Sequence, residues 1–262
     1  MQKQTGYLRT NDGVRLYYEE AGSGKNVLLI HGRGVNLVWW QRNFAVLAEQ
    51  FHVVALDFRG CGRSDQVAWG HGTARYAMDI YEAIQQLELH DVMLVGWSLG
   101  GRTCYAYLEL FGRQHLHSVV IVDDTVHPDV HLPPPEGAAQ QPGESDEDFT
   151  RRSIRCMASP ENPDALPAEE LDWMVAAWGE IPEAATLTAD GQKDWRPLCP
   201  VIAVPVLLTS GRHSGALPGC QYAAEHIPGA RLEVFEHSGH ALFYTEADKF
   251  NRVVAGFVDN PA

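Results

Sequence analysis

Short apolar runs alternate with amphipathic stretches along most of the chain. Runs of four or five apolar residues bounded by turn residues are typical of buried parallel strands, and apolar residues spaced by three and four predict helices with one buried face. Near the start, Asn11-Asp12-Gly13 between two strand-like runs favours a β-hairpin. The alternation predicts a mostly parallel central sheet covered by helices on both faces. The predicted strands are 7–10, 14–20, 27–30, 53–56, 91–95, 119–122, 206–209 and 232–235, and the predicted helical faces include 40–48, 77–87 and 250–257.

One long segment breaks the alternation. Residues 127–197 contain the run Pro133-Pro134-Pro135, a polar stretch and then short helical patterns. The segment is inserted between two predicted strands, so we expect it to form a helical cap over the carboxyl ends of the strands. The α/β core would then consist of residues 1–126 and 198–262.

Composition adds little to the fold and more to the choice of partner. The 262 residues, 45% hydrophobic and 21% charged, suit a globular α/β core with an inserted subdomain. The net charge of -14 argues against nucleic acid or an anionic membrane surface as a partner. Sixteen Asp and Glu against three Arg lie between Asp123 and Asp190. We expect a solvated acidic surface there, or an entrance that disfavours anionic substrates.

The cysteines and the N-terminus indicate a cytoplasmic protein. The five cysteines are scattered without C-x-x-C spacing, which favours reduced thiols over a disulfide framework or a zinc site. The N-terminus has no apolar targeting region, and no stretch reaches 18 apolar residues, so the sequence predicts no membrane segment. We expect a monomer or homodimer that acts on a small-molecule substrate.

The stretch Gly96-Trp97-Ser98-Leu99-Gly100 follows an apolar run and precedes a helical pattern. A serine on so sharp a strand-to-helix turn fits a nucleophile elbow, where small residues two positions before and after it prevent clashes. Its hydroxyl would lie at the carboxyl edge of the sheet, above a helix N-terminus that favours developing negative charge. We therefore expect Ser98 to be a nucleophile.

A serine hydroxyl becomes a good nucleophile only when an oriented base takes its proton. Of the twelve histidines, His240 lies between the last predicted strand and the last helix, so its loop can reach the edge that carries Ser98. We expect backbone N–H groups of Leu99 and Arg33 to hold an oxyanion, the latter within a glycine-containing loop that begins at His31. The Arg33 side chain is either a solvated charge or a contact for a substrate carboxylate or phenolate.

Four motifs occur in one order along the chain, and together they resemble those of α/β-hydrolase-fold enzymes. They are His31-Gly32, residues 57–65, residues 96–101 and Gly239-His240. The resemblance is to small members of the family, which include carboxylesterases, cofactor-free haloperoxidases and C–C bond hydrolases. It implies a Ser-His-acid triad with no metal and no organic cofactor. It defines the fold far better than the substrate, because this fold hosts many chemistries.

The acid of the implied triad departs from the commonest pattern of the family. In most relatives it follows the strand after the cap, where this chain carries Ser214. Asp123 and Asp124 instead follow the strand after the nucleophile helix, a position that some dehalogenases, a lactone hydrolase and cofactor-free dioxygenases use. We expect Asp123 to orient His240, with Asp124 as the alternative. Both could also be ordinary strand-end turn residues.

Tryptophans suggest the kind of substrate. An apolar pocket lined by indoles would suit an apolar acyl group or a flat aromatic ring. The first hypothesis is therefore a serine hydrolase of esters, lactones or similar carbonyl compounds. The alternative is a cofactor-free dioxygenase in which a His-Asp pair deprotonates an N-heteroaromatic substrate such as a 3-hydroxy-4-quinolone. A non-catalytic ligand receptor is a lesser alternative. The tryptophans concerned are Trp39, Trp40, Trp97, Trp173, Trp178 and Trp195.

Overall fold

Eight strands form the central sheet in the computed structural model, which describes residues 2–127, 139–179 and 193–261. The strand order is β1-β2-β4-β3-β5-β6-β7-β8. The pairs β1–β2 and β2–β4 are antiparallel and all other neighbouring pairs are parallel, which confirms the mostly parallel sheet and the N-terminal hairpin. The strands are β1 (Gln4–Arg9), β2 (Arg15–Ala21), β3 (Asn26–Ile30), β4 (His52–Leu56), β5 (Val92–Trp97), β6 (Leu116–Val122), β7 (Val206–Gly211) and β8 (Arg231–Phe235).

Helices cover both faces of this sheet. Successive apolar residues of a central strand enter two different core clusters, as Leu28 and Leu29 of β3 do, because strand side chains alternate between faces. Three short 3₁₀ helices lie at Leu37–Trp40, Pro163–Ala165 and Arg196–Val201. The α-helices are α1 (Gln41–Leu47), α2 (Thr73–Gln86), α3 (Leu99–Phe111), α4 (Asp146–Ala158), α5 (Ala168–Ala176), α6 (Leu217–His226), α7 (Leu242–Thr245) and α8 (Ala247–Asp259).

Helices α4 and α5 lie in the segment between β6 and β7, where the sequence predicts a cap. The run Pro133-Pro134-Pro135 lies outside the described residues. The subdomain boundaries at 127 and 197 stay a prediction.

The parallel strands bring their carboxyl ends together at one edge of the sheet. Trp97 at the end of β5 pairs with Val122 at the end of β6, and Val122 pairs with Thr209 of β7. Beyond these pairs, the Ser98 amide donates to Val122 O (2.9 Å) and the Asp123 amide donates to Thr209 O (2.8 Å). The backbone ladder therefore places residues 98 and 123 on neighbouring strand ends.

Two properties of the described residues bear on the expectations from composition. All five cysteines lie among them and are free thiols, as their scattered spacing predicts. Within the same ranges, no helix combines the length and the apolar composition that crossing a lipid bilayer requires.

Candidate active site

Ser98 occupies a strained turn between β5 and α3. Its backbone angles, φ 53° and ψ -117°, lie outside the regions that a serine normally adopts, and such strain persists only where the surroundings enforce it. The turn is tight enough that a Cβ on Gly96 would lie 2.3 Å from Gly100 O, and one on Gly100 would lie 2.6 Å from Ile30 O. Glycine is therefore required on both sides, as the elbow pattern predicts.

The carboxylate of Asp123 lies at the centre of a hydrogen-bond network. Asp123 is fully buried, and its positive φ of 51° turns the chain at the end of β6. Its Oδ2 accepts from Ser214 Oγ (2.5 Å) and contacts His240 Nδ1 at 2.6 Å. Its Oδ1 accepts from Ser210 Oγ (2.6 Å) and from the Gly211 amide (3.1 Å). Four donors thus fix both oxygens of one carboxylate.

This network sets the tautomer of His240. A carboxylate only accepts, so the proton of the neutral ring is assigned to Nδ1 and the lone pair to Nε2. The Trp97 indole donates to His240 O (2.9 Å), which ties the histidine to the residue before Ser98. Among the described residues, no hydrogen bond joins the Ser98 hydroxyl to His240. Such bonds are often long in a site without substrate and tighten when it binds.

The loop that carries His240 packs directly on the end of β7. A Cβ on Gly211 would lie 2.2 Å from Gly239 O and 2.3 Å from Ser238 O, so the two backbones touch where glycine allows it. The Ser238 hydroxyl donates to Glu246 Oε2 (2.6 Å), which holds the other side of the loop. These contacts fix the position of the His240 loop relative to the end of β7.

The loop after β3 contains the residues expected to hold an oxyanion. The ring of His31 is fully buried; its Nδ1 bonds to Gly32 O (2.7 Å), and its Nε2 accepts from the Phe58 amide (3.0 Å). Burial lowers the pKa of His31 to about 4, so the ring is neutral. Both ring nitrogens of His31 are therefore bonded within the protein, and neither is available to a substrate. Arg33 and Leu99 are partly exposed.

Asp57 is a structural residue of the site that the sequence marked only as part of a family motif. Its Oδ1 accepts from the Leu37 amide (2.8 Å) and its Oδ2 from the Arg63 amide (2.9 Å). It therefore fixes the chain at Leu37, just beyond the loop after β3. Burial raises the pKa of Asp57 to about 6. The available indication was its position, since it directly follows the apolar strand β4.

Asp124 lies in different surroundings from Asp123. Its side chain approaches Arg102 Nε at 3.3 Å, and its buried Oδ2 has no hydrogen-bond partner. Burial raises the pKa of this carboxyl, and the charge of Arg102 opposes the shift. Of the two aspartates considered from the sequence, only Asp123 contacts His240.

Four tryptophans form one cluster beside Ser98. Trp39 stacks on Trp97 with ring centroids 5.1 Å apart, and Trp173 and Trp178 approach Trp39 edge-on at 6.0 and 6.3 Å. Trp39 and Trp97 are 0% and 2% exposed, so indoles from the segment between β6 and β7 cover those of the core. An apolar aromatic wall therefore lies beside the turn at Ser98.

The interpretation that Trp195 lines the same pocket is wrong, whereas Trp40 lies on the same face of the sheet as Trp39 and Trp97 but packs into the core. Trp40 is buried against Phe243, with ring centroids 4.4 Å apart. Trp195 packs on Tyr105 at 5.8 Å and belongs to the core cluster on the opposite face of the sheet from Trp97. Residue type predicts burial of an indole, but the face of the sheet depends on the path of the chain.

Backbone hydrogen bonds join the segment between β6 and β7 to both loops beside Ser98. The Gly179 amide, just beyond α5, donates to Gly34 O in the loop after β3 (2.8 Å). The Ala241 amide, next to His240, donates to Met157 O in α4 (3.2 Å). Movement of α4 or α5 would therefore displace or strain the loops beside Ser98.

Similarity to one protein family extends over most of the chain. The family model described as the alpha/beta hydrolase fold matches residues 25–247. The chain belongs to this family. In the α/β-hydrolase fold, the strand–turn–helix unit around Ser98 is the expected setting of a nucleophile elbow.

Relatives of this α/β hydrolase include esterases and haloperoxidases. The chain is 27% identical over 270 residues to the non-heme chloroperoxidase of Kitasatospora aureofaciens, covering 95% of this chain and 98% of that protein. An esterase structure from Exiguobacterium antarcticum superposes with a TM-score of 0.76 at 26% identity, covering 97% and 99% of the two chains. A bromoperoxidase structure from Bacillus anthracis gives a TM-score of 0.85 at 24% identity, covering 98% and 100%, and supports the fold. The family and these relatives support a hydrolase.

Two hydroxyls of the hydrolase site were not anticipated from the sequence. Ser214 enters the sequence interpretation only as a missing acid and Ser210 does not enter it, yet both donate to Asp123. Ser210 lies at the end of β7 and Ser214 just beyond it, and they reach Asp123 because β7 pairs with β6, which the sequence alone does not specify. Within the described residues, no group of three His, Cys, Asp or Glu side chains is placed to hold a metal ion.

Proposed function

We propose that this protein is a serine hydrolase that cleaves a carboxylic ester, lactone or similar carbonyl compound with an apolar or aromatic moiety. The observation that carries the proposal is the 2.6 Å contact between Asp123 Oδ2 and His240 Nδ1, beside the strained turn that presents Ser98. A carboxylate, a correctly protonated imidazole and a serine at an elbow are the components of nucleophilic acyl transfer.

In the proposed mechanism, His240 Nε2 takes the proton of Ser98 as Oγ attacks the substrate carbonyl carbon. The carbonyl oxygen becomes an oxyanion, which accepts hydrogen bonds from the backbone N–H groups of Leu99 and Arg33. His240 then protonates the leaving alcohol, and the C–O bond breaks to give an acyl-enzyme. Water, deprotonated by His240, attacks the ester carbon and releases Ser98 and the acid. Asp123 holds the imidazole and stabilises its charged form throughout.

The surroundings of Ser98 support an apolar or aromatic substrate group. The partly exposed Trp173 and Trp178, which approach the buried Trp39 of the Trp39–Trp97 stack edge-on, offer aromatic rings. Apolar walls with a few placed polar groups are characteristic of small-molecule pockets. Aryl and medium-chain acyl esters and lactones are therefore the substrates to test first.

Ser98→Ala tests the proposal directly. We expect wild-type protein to react with a fluorophosphonate probe and to hydrolyse activated aryl esters, and Ser98→Ala to lose both properties. Ser118→Ala is a matched control, because Ser118 is a buried serine near the N-terminal end of β6, whereas the site lies at the carboxyl end. Wild-type protein that is neither labelled nor active on a panel of esters and lactones would overturn the proposal.

A second candidate is a cofactor-free dioxygenase that deprotonates an N-heteroaromatic substrate such as a 3-hydroxy-4-quinolone. The observation in its favour is that the Asp123–His240 pair is complete without any hydrogen bond to Ser98 within the described residues. Oxygen uptake with a 3-hydroxy-4-quinolone, retained in Ser98→Ala and lost in His240→Ala, would establish this function instead. Loss of activity in Ser98→Ala favours the hydrolase.

A further inference from the structure

Ser214 is buried just beyond the end of β7. Its hydroxyl and the candidate base, His240, contact the same carboxylate oxygen of Asp123. Its hydroxyl donates to Asp123 Oδ2 at 2.5 Å, and the same Oδ2 contacts His240 Nδ1 at 2.6 Å. The Ala216 amide donates to Ser214 Oγ (3.1 Å), so the hydroxyl oxygen is itself held and its proton is free to face the carboxylate. Ser214 is 7% exposed, and water therefore has little access as a substitute donor.

The other carboxylate oxygen is held from the same strand end. Ser210 Oγ and the Gly211 amide both donate to Asp123 Oδ1, at 2.6 and 3.1 Å. A carboxylate can rotate about its Cβ–Cγ bond, and donors on both oxygens remove that freedom. With Ser210 on one oxygen and Ser214 on the other, Oδ2 stays directed at His240.

We propose that Ser214 is a positioning residue that acts through Asp123. This inference rests on the proposed hydrolase function. Ser214 Oγ and His240 Nδ1 both bond to Asp123 Oδ2, so the donor from Ser214 holds the same oxygen that orients the imidazole.

The first test removes the hydroxyl. Ser214→Ala should lower kcat on an aryl ester by about 10- to 100-fold while KM changes by less than about twofold, because the lost bond is to a charged group away from the substrate. Ser214→Thr keeps a hydroxyl and should restore most of kcat. Ser118→Ala, which removes a buried hydroxyl at the far end of β6, should leave kcat unchanged.

A readout independent of activity separates positioning from a purely structural role. A ring N–H hydrogen-bonded to a carboxylate gives a low-field proton resonance in NMR spectra, and here that proton is on His240 Nδ1. Ser214→Ala should shift or broaden this resonance at unchanged melting temperature, whereas Ser118→Ala should not. If Ser214→Ala matches Ser118→Ala in both kcat and the resonance, the positioning role is wrong.

The positioning role and the hydrolase proposal fail separately. Wild-type protein that fails fluorophosphonate labelling would overturn the hydrolase proposal, while the low-field resonance would still test Ser214.

Discussion

Asp123 and Asp124 are neighbours in the chain, yet their carboxyl groups lie in contrasting surroundings. Asp123 has hydrogen-bond donors on both oxygens, from Ser210, Gly211 and Ser214, and it contacts His240. Asp124 is buried as well, but Arg102 Nε lies 3.3 Å from its Oδ1, and its Oδ2 has no hydrogen-bond partner. Burial alone therefore does not distinguish the two groups, whereas their partners do.

The difference follows from where β6 ends. Asp123 has a φ of 51°, so the chain turns there and directs its side chain along the sheet edge toward β7 and the histidine loop. Asp124 is directed at α3, where a Cβ on Gly101 would lie 2.9 Å from Asp124 Cβ. A left-handed conformation is tolerated by Asp better than by most residues. The backbone conformation at residue 123 thus separates a carboxyl that contacts His240 from one that is buried against α3.

The largest effect should come from Asp123→Asn. Asparagine keeps the shape but places an amide N–H where the carboxylate faces His240 Nδ1, which favours the wrong tautomer of the ring. We expect kcat on an aryl ester to fall by about 10³- to 10⁴-fold with KM little changed. Steady-state kinetics of purified protein measures both constants.

The matched control is Asp124→Asn, which should stay within about threefold of wild-type kcat since this carboxyl does not touch the imidazole. A reversed pattern, with Asp124→Asn inactive and Asp123→Asn active, would assign the acid to the second aspartate. Equal and large losses in both variants would mean that the two carboxyls act as one unit.

Gly211→Ala tests whether the loop that carries His240 is held in position as firmly as the carboxylate of Asp123. The added methyl would lie 2.2 Å from Gly239 O, so the loop that carries His240 has to move. We expect kcat to fall by about 100-fold and the free energy of unfolding to fall by about 3 kcal/mol, from kinetics and urea titration. Gly256→Ala in α8, with open space around it, should be neutral or stabilising. Unchanged kcat in Gly211→Ala would show that the loop is not held by this contact.

Most of the fold could be predicted from the sequence because its determinants are local. A buried parallel strand requires a continuous apolar run, and β3, β4, β6 and β7 each contain one at the predicted place. The hairpin at Asn11-Asp12-Gly13 depends on four or five consecutive residues. The elbow is local only in part, because a Cβ on Gly96 would clash with Gly100 O, whereas a Cβ on Gly100 would clash with Ile30 O of β3.

The site could be predicted only in part because its remaining determinants come from distant segments. Whether Asp123 or Asp124 faces His240 depends on the backbone angle at the end of β6, which residue identity leaves open. Ser214 appears in the sequence as the absence of an acid, and its hydrogen bond to Asp123 exists only because β7 pairs with β6. The same holds for Trp195, whose face of the sheet is set by the path of the chain.

Asp57 extends the comparison to a third buried carboxyl, one with backbone partners on both oxygens. Burial raises its pKa from 3.8 to about 6, so the folded protein binds a proton more readily than the unfolded chain. Wild-type stability should therefore rise relative to Asp57→Asn as the pH falls from 7 to 4, by at most about 3 kcal/mol. Urea titrations of both proteins at these two pH values measure the difference, and other titrating groups cancel in it. A difference that is independent of pH would contradict the raised pKa.

The smallest effect should come from Asp124→Asn, measured now as stability. Burial raises the pKa of Asp124, so its ionised form is a cost to folding at pH 7 that disappears as the pH falls toward the ordinary carboxyl value. Arg102 is 24% exposed at its side chain and can turn to water when its partner is neutralised. We expect Asp124→Asn to be more stable than wild type by up to about 1 kcal/mol at pH 7 and to lose this advantage near pH 4, by urea titration. Destabilisation of Asp124→Asn at pH 7 would mean that the Arg102 pair outweighs the burial of the charge, and the contrast with Asp123 would then rest on His240 alone.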